Sequence, residues 1–169
     1  PAALKLVERF TRIAPNKGRW SVTVDDPTTW TRPWTFAMPL TLDEKEEMLE
    51  RLARSPAALD RLEAGLDAGE DAYLDATASE TLRIRPVVPF ALRELTEPMR
   101  IGGFDLPAGT RAAPCGWLLH RRHDIYPDPD AFRPERFLEA PPGTSTWIPF
   151  GGGTRRCLGA SFSMFEMKH

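Results

Sequence analysis

Trp20-Ser21-Val22-Thr23-Val24 alternates apolar and polar side chains, the period of a strand with one buried face. A second strand-like run spans Thr35 to Leu40, and Asp25-Asp26-Pro27 supplies turn chemistry between the two. Residues 1–40 therefore read as a short β-rich segment, with Trp20, Trp30 and Trp34 closing a small apolar layer. After residue 41 the period lengthens. Thr41-Leu42-Asp43-Glu44 has the spacing of a capping box, in which hydroxyl and carboxylate satisfy backbone donors reciprocally. Met48, Leu49 and Leu52 then share one face of a helix over 42–54. Ser55-Pro56 restarts the helix, because a first-turn proline gives up an N–H that has no partner there anyway. Leu59, Leu62 and Leu66 stripe this second helix over 56–67. Ala68-Gly69-Glu70 interrupts it. Leu74, Ala78 and Leu82 mark a third helix over 71–85, which Pro86 ends.

From 87 to 120 the pattern predicts strands in a small mixed sheet. Val87 to Arg93 is one candidate, and Thr110 to Trp117 is another. Met99–Ile101 and Phe104–Leu106 flank Gly102-Gly103, a hairpin signal. Residues 121–156 are rich in proline and poor in periodic apolar positions. A long irregular stretch inside a compact domain is uncommon and usually functional. A last helix is expected from Leu158 to Lys168, with Phe162, Phe165 and Met167 apolar. The fold class read from this order is α+β.

Composition narrows the function. The chain has 169 residues with 22 basic and 24 acidic side chains, a net charge of −2. That balance gives no footprint for nucleic acid. Apolar runs fall well short of the roughly 20 residues a membrane helix needs, so no membrane span is expected. The first residues carry no signal peptide, and a cytoplasmic location follows as the expectation. Only two cysteines occur, Cys115 and Cys157, with no Cys-x-x-Cys. That excludes a disulfide framework and makes a structural zinc site a poor reading. Cys115 reads as a small apolar residue.

Cys157 stands in a different context, Phe150-Gly151-Gly152-Gly153-Thr154-Arg155-Arg156-Cys157-Leu158-Gly159. The glycines let the backbone approach a neighbour closely and adopt positive φ. A thiol at a helix N-terminus meets the positive end of the helix dipole and unpaired N–H donors, which favour the thiolate. Arg155 adds positive charge nearby. Such a thiolate suits a soft axial bond to a metal. Two further elements accompany it. Glu80-Thr81-Leu82-Arg83 puts a carboxylate and a guanidinium on one helical face. Alone, that is a surface pair worth a few tenths of a kcal/mol. Phe132-Arg133-Pro134-Glu135-Arg136-Phe137 alone is a proline turn.

In this order the three elements resemble the carboxy-terminal, heme-binding portion of a bacterial-like cytochrome P450, over residues of about 45–169. Residues 1–40 do not resemble that family. The resemblance implies a partial P450 fold: J/K-type helices, a small mixed sheet, a long meander, the cysteine heme loop and the start of the following helix. It divides the chain into a β-rich segment, 1–40, and a truncated heme-binding portion, 41–169. It implies a heme-thiolate monooxygenase using heme b (iron protoporphyrin IX), with Cys157 as both catalytic residue and axial iron ligand. Phe150, Gly151, Gly153, Arg155, Gly159 and Arg93 would contact the cofactor, the two arginines through its propionates. Glu80, Arg83 and Arg136 would form a buried structural network. Val87, Val88 and Phe90 match the family's pocket-lining stretch. The implied partners are a small organic substrate and a ferredoxin or flavoprotein reductase.

The chain also departs from the family. A complete P450 is more than twice as long, and its oxygen-activating helix carries Ala-Gly-x-Asp/Glu-Thr. Ala64-Gly65-Leu66-Asp67-Ala68 and Ala68-Gly69-Glu70-Asp71-Ala72 both lack the threonine and read as turn sequence. The 169-residue chain is therefore expected to be a fragment of such a monooxygenase, inactive by itself; the alternative is a catalytically inactive P450 remnant or fusion product that binds heme weakly or not at all. Other classes find no support. Gly151-Gly152-Gly153-Thr154 lacks the Gly-Lys-Ser/Thr of a phosphate loop. Gly159-Ala160-Ser161-Phe162-Ser163 lacks the second glycine of a hydrolase elbow. His120, His123 and His169 form no metal-binding spacing.

Overall fold

A computed structural model describes residues 5–14, 17–25, 32–41, 44–141 and 143–168. The capping box at 41–44 and Trp30 fall on or across positions outside the described residues. Two compact units are present, Pro1–Glu47 and Met48–His169.

The first unit is a three-stranded antiparallel meander. Strand β1 spans Lys5–Ala14, β2 Lys17–Asp25 and β3 Trp34–Thr41, in the order β1-β2-β3. Both strand runs expected from the sequence are present, and β1 is an addition. Register places Trp20 opposite Phe10 on one side and Met38 on the other. Thr23 and Thr35 meet hydroxyl to hydroxyl at 2.9 Å, a cross-strand pair that favours this register.

Helices α1 (Glu44–Ala53), α2 (Pro56–Asp67) and α3 (Ala72–Ile84) follow the expected boundaries closely. Ser55 caps α2 through its carbonyl, which accepts the N–H groups of Ala58 and Leu59 at 2.9 and 3.1 Å; its hydroxyl does not serve. Helix α3 is the centre of the second unit, with every side chain from Ala76 to Ile84 buried. Met48, Leu52, Ala58, Leu62, Tyr73, Ala78, Leu82 and Met167 form the apolar core around it. Leu49 and Leu66, expected on the core face, are 56% and 47% exposed. A helical stripe is wider than the surface that covers it, and its flanking leucines are left at the rim.

The region 87–120 differs from the expected mixed sheet. It holds two separate antiparallel ladders, β4 (Arg93–Glu94) with β7 (Arg111–Ala112), and β5 (Met99–Ile101) with β6 (Phe104–Leu106). The glycine hairpin is present, with Gly102 and Gly103 at φ 58° and 90°. The expected strand over 87–93 shrinks to one bridge, Phe90 to Cys115, before β4. Pro86 and Pro89 explain this, since each removes a ladder donor. The expected strand over 110–117 ends early because Gly116–Leu119 turns into a short helix, α4. Gly116 is packed so closely that a Cβ there would lie 3.4 Å from the Ile148 carbonyl.

The stretch 121–156 is irregular, as expected, apart from α5 (Arg136–Glu139) and a 3₁₀ turn at Gly153–Arg155. Helix α6 spans Ala160–Lys168. Among the described residues, no helix is long and apolar enough to cross a membrane.

Candidate functional site: a buried carboxylate–arginine network and an exposed cysteine loop

Glu80 and Arg83 sit one turn apart on α3, both with no exposed side-chain surface. The guanidinium grips the carboxylate as a fork, Nε to Oε2 at 2.7 Å and Nη2 to Oε1 at 2.9 Å. Arg136 enters from α5, 56 positions along the chain, and donates Nε to Oε1 of Glu80 at 3.1 Å. The backbone N–H of Arg133 reaches the same oxygen at 2.9 Å. Both oxygens of the buried carboxylate are thereby engaged, the condition under which a buried charge is tolerated.

The remaining guanidinium hydrogens are spent on carbonyls of the meander. Arg83 donates to the carbonyls of His120 at 2.7 Å and Ala131 at 3.4 Å. Arg136 donates to those of Pro127, Asp128 and Ala131 at 3.1, 3.3 and 3.4 Å. A stretch without ladders must satisfy its inward carbonyls some other way. Here two buried arginines do so, and Glu80 holds both. Arg83 also lies over the Tyr126 ring, 5.1 Å from its centroid.

Three residues to which the sequence assigned no role, one of them His120, complete this framework. His120 is fully buried. Its Nδ1 donates to the Arg83 carbonyl at 3.0 Å, and its Nε2 accepts the Ile148 N–H at 2.9 Å. Those two partners require the neutral ring. Burial, above all, pushes its pKa down to about 4, with the positive charges of Arg83 and Arg121 acting the same way against a smaller opposing hydrogen bond. Tyr126 donates to the Thr146 carbonyl at 3.0 Å, and Trp147 donates its indole N–H to the Ser79 carbonyl at 3.0 Å. Trp147 also meets Phe137 and Phe150 edge to face at 6.1 and 6.0 Å. Neither His120 nor Trp147 carries a local pattern that points to these bonds, because their partners lie 28 to 68 positions away. Replacing Trp147 with phenylalanine is expected to lower stability by about 2 kcal/mol, since the indole N–H bond is lost and the smaller ring fills less of the space between Phe137 and Phe150. Urea unfolding of the variant checks this.

The cysteine loop follows. The Gly151 N–H returns to the Ile148 carbonyl at 3.0 Å, and the Cys157 N–H closes onto the Phe150 carbonyl at 2.9 Å. Gly151 and Gly153 take φ of 73° and 64°, which side-chain-bearing residues rarely adopt. Phe150 packs against the core cluster, so the loop has one anchored end. Cys157 is exposed, as are Arg155, Leu158, Gly159 and Phe162. The Cys157 carbonyl accepts the Ala160 N–H at the start of α6, at 3.4 Å. A Cβ on Gly159 would lie 3.8 Å from the Cys157 sulfur, so this glycine keeps the flank of the sulfur clear.

The structure thus brings Glu80, Arg83 and Arg136 into contact, and joins Phe150 to Cys157 through the backbone. Arg93 lies apart from that network, exposed on β4, its guanidinium on the Leu92 carbonyl at 2.9 Å. Val87 and Val88 are 41% and 60% exposed. No group of three or more metal-ligating side chains occurs among the described residues. A metal held by one axial sulfur needs no such group.

A buried Glu-Arg-Arg network together with a glycine loop that presents a single thiol is the arrangement that the sequence resemblance implied, and comparison with known proteins gives the family. The sequence model described as Cytochrome P450 matches residues 67–169. The chain belongs to the cytochrome P450 family. The proteins provisionally named cytochrome P450 135B1 from Mycobacterium tuberculosis and Mycobacterium bovis are 50% identical over 127 residues, covering 71% of this chain and 27% of theirs. The M. tuberculosis protein provisionally named cytochrome P450 137 is 45% identical over 116 residues, covering 69% of this chain and 24% of its own. Among solved structures, cyanobacterial CYP120A1 with retinoic acid bound superposes with a TM-score of 0.69 at 30% identity, covering 74% of this chain and 32% of that one. CYP175A1 from Thermus thermophilus gives 0.66 at 31% identity, covering 75% and 31%. The architecture is a partial P450 fold preceded by a β-rich segment. The chain spans about a quarter of the length of the curated relatives it matches.

Proposed function

We propose that residues 41–169 are the heme-binding portion of a cytochrome P450 monooxygenase, with Cys157 as the axial thiolate of heme b, and that residues 1–40 are a separate β-rich segment. The observation that carries this reading is the cysteine loop: an exposed sulfur on a backbone closed by the Cys157 N–H to Phe150 carbonyl bond. The donor set fits the cofactor. One soft sulfur is offered without competing ligands, with a clear flank at Gly159 and exposed apolar side chains at Leu158 and Phe162. When bound, the heme supplies oxygen activation for oxidation of an organic substrate.

The chain's own residues do the rest. Cys157 would ligate the iron. Phe150 would shield the sulfur from water on the core side. Gly151 and Gly153 permit the tight loop, Arg155 and Arg93 would bind propionates, and Gly159 would leave room for the macrocycle. Glu80, Arg83 and Arg136 hold the meander that carries the loop. A small organic substrate, a ferredoxin or flavoprotein reductase, and a cytoplasmic location belong to the same reading.

A second reading is favoured by the exposure of this site, with Leu158 at 103% and Phe162 at 63%. In it the 169 residues by themselves bind heme weakly or not at all and do not turn over substrate. One experiment tests both: the purified chain is mixed with heme, reduced and exposed to CO. A Soret band at the thiolate-ligated position is the result the first reading expects. A nitrogen-type or free-heme spectrum overturns thiolate ligation by this chain and leaves the second reading.

A further inference from the structure

We propose that His120 is a positioning residue that sets the register of the loop from Ile148 to Cys157 against the end of α3, and that protonating it releases that loop. The inference rests on the proposed function only for what the loop is used for. The His120 side chain bonds both α3 and the residue opening the loop. Its Nδ1–H is on the Arg83 carbonyl at 3.0 Å, and its Nε2 takes the Ile148 N–H at 2.9 Å. Three residues later the chain turns back on itself, Gly151 N–H to Ile148 carbonyl, and the Cys157 N–H then closes onto the Phe150 carbonyl. Ile148 is therefore the fixed point from which the loop is measured, and His120 fixes it.

The arrangement is sensitive to one proton. A doubly protonated ring would direct an Nε2–H at the Ile148 N–H, two donors facing each other, and the bond would be lost. The surroundings oppose that proton. From α3, the Arg83 guanidinium donates to the carbonyl of His120 itself at 2.7 Å, while Glu80 is taken up by Arg83 and Arg136. Next in the chain, Arg121 donates to the Ile84 carbonyl at 3.0 Å and lies over Trp117. From the meander, Tyr126 presents its ring edge-on, 6.2 Å from the imidazole, and the Ile148 segment contributes its backbone N–H. The sign follows. An unfolded histidine takes its proton near pH 6.5, whereas here it is held off until about 4. The contribution of the neutral ring is full above about 6.5, declines as pH falls through that window, and is lost below about 4.

The test is amide hydrogen exchange on the full 169-residue chain without heme, corrected for intrinsic rates, with α3 as internal reference. In the wild type, protection of the Ile148–Cys157 segment relative to α3 is expected to fall by at least roughly tenfold between pH 7 and pH 4.5, because opening the loop lets His120 take the proton that the closed loop holds off. His120→Gln supplies an amide oxygen but no titrating group, and its relative protection is expected to stay flat over that range. His120→Ala is expected to lose roughly tenfold already at pH 7. If His120→Ala unfolds throughout, seen as loss of α3 protection, the comparison of wild type with His120→Gln decides. Equal pH profiles for those two, or a flat wild-type profile, would overturn the proposal. Because no heme is present, failure of thiolate ligation leaves this result standing, and the reverse also holds.

Discussion

Replacing Cys157 with serine is expected to abolish the thiolate-type spectrum of the reduced CO complex while leaving the fold intact. The side chain is exposed and the bond that closes the loop is made by its backbone N–H, 2.9 Å from the Phe150 carbonyl. Serine keeps that N–H, so the loop stays closed and the change in unfolding free energy is expected within about 0.5 kcal/mol. What is lost is the soft anionic donor that distinguishes this type of heme ligation. The other thiol is a built-in control. Cys115 is half-buried and bridged to Phe90, so Cys115→Ser is expected to keep the thiolate spectrum. Full thiolate character in Cys157→Ser would remove the ligand assignment altogether.

The second large effect is on stability. Glu80→Ala is expected to lower the unfolding free energy by about 3–5 kcal/mol. The carboxylate accepts from Arg83 twice, from Arg136 and from the Arg133 N–H, all at 2.7 to 3.1 Å. Its removal leaves two buried guanidiniums without their counter-charge, and a domain of this size has only about 5–15 kcal/mol in all. Urea unfolding followed by far-UV circular dichroism measures the loss. A change below about 1 kcal/mol would mean that the arginines are held by the meander carbonyls alone. The same variant separates two ideas about the network. Breaking a buried pair is strongly destabilising whether or not the pair was ever better than an apolar substitute. What the geometry adds is a reason for charge at this place: the meander carbonyls at Pro127, Asp128 and Ala131 need donors, and no ladder supplies them.

Local signals carried the helices. Ser55-Pro56 and Pro86 bound α2 and α3 because proline constrains its own φ and its predecessor whatever surrounds it. Gly102-Gly103 marked the β5–β6 hairpin for the same kind of reason, and both glycines have positive φ. The cysteine loop and the Glu-x-x-Arg pair were legible as motifs, since their members lie within one loop and one helical turn. Arg136 joined them by family resemblance and is indeed within hydrogen-bonding distance of Glu80. The strand expected over 87–93 was not formed, because its alternation of apolar residues was read over prolines that deny it a ladder.

Chain-local chemistry therefore determined where this protein turns and where α2 starts and α3 ends, and which residue a glycine loop presents as a thiol. Tertiary structure decided who meets whom. Leu49 and Leu66 carry the same stripe signal as Leu52 and Leu62, yet only the latter pair is covered. His120 has no pattern of its own, and its place between Arg83 and Ile148 exists only once segments 37 and 28 positions away are packed together. The physical reason is common to both. Dihedral preferences act within a few residues, whereas burial and hydrogen-bond satisfaction are properties of the assembled interior, where every buried donor and acceptor must find a partner from whichever segment arrives.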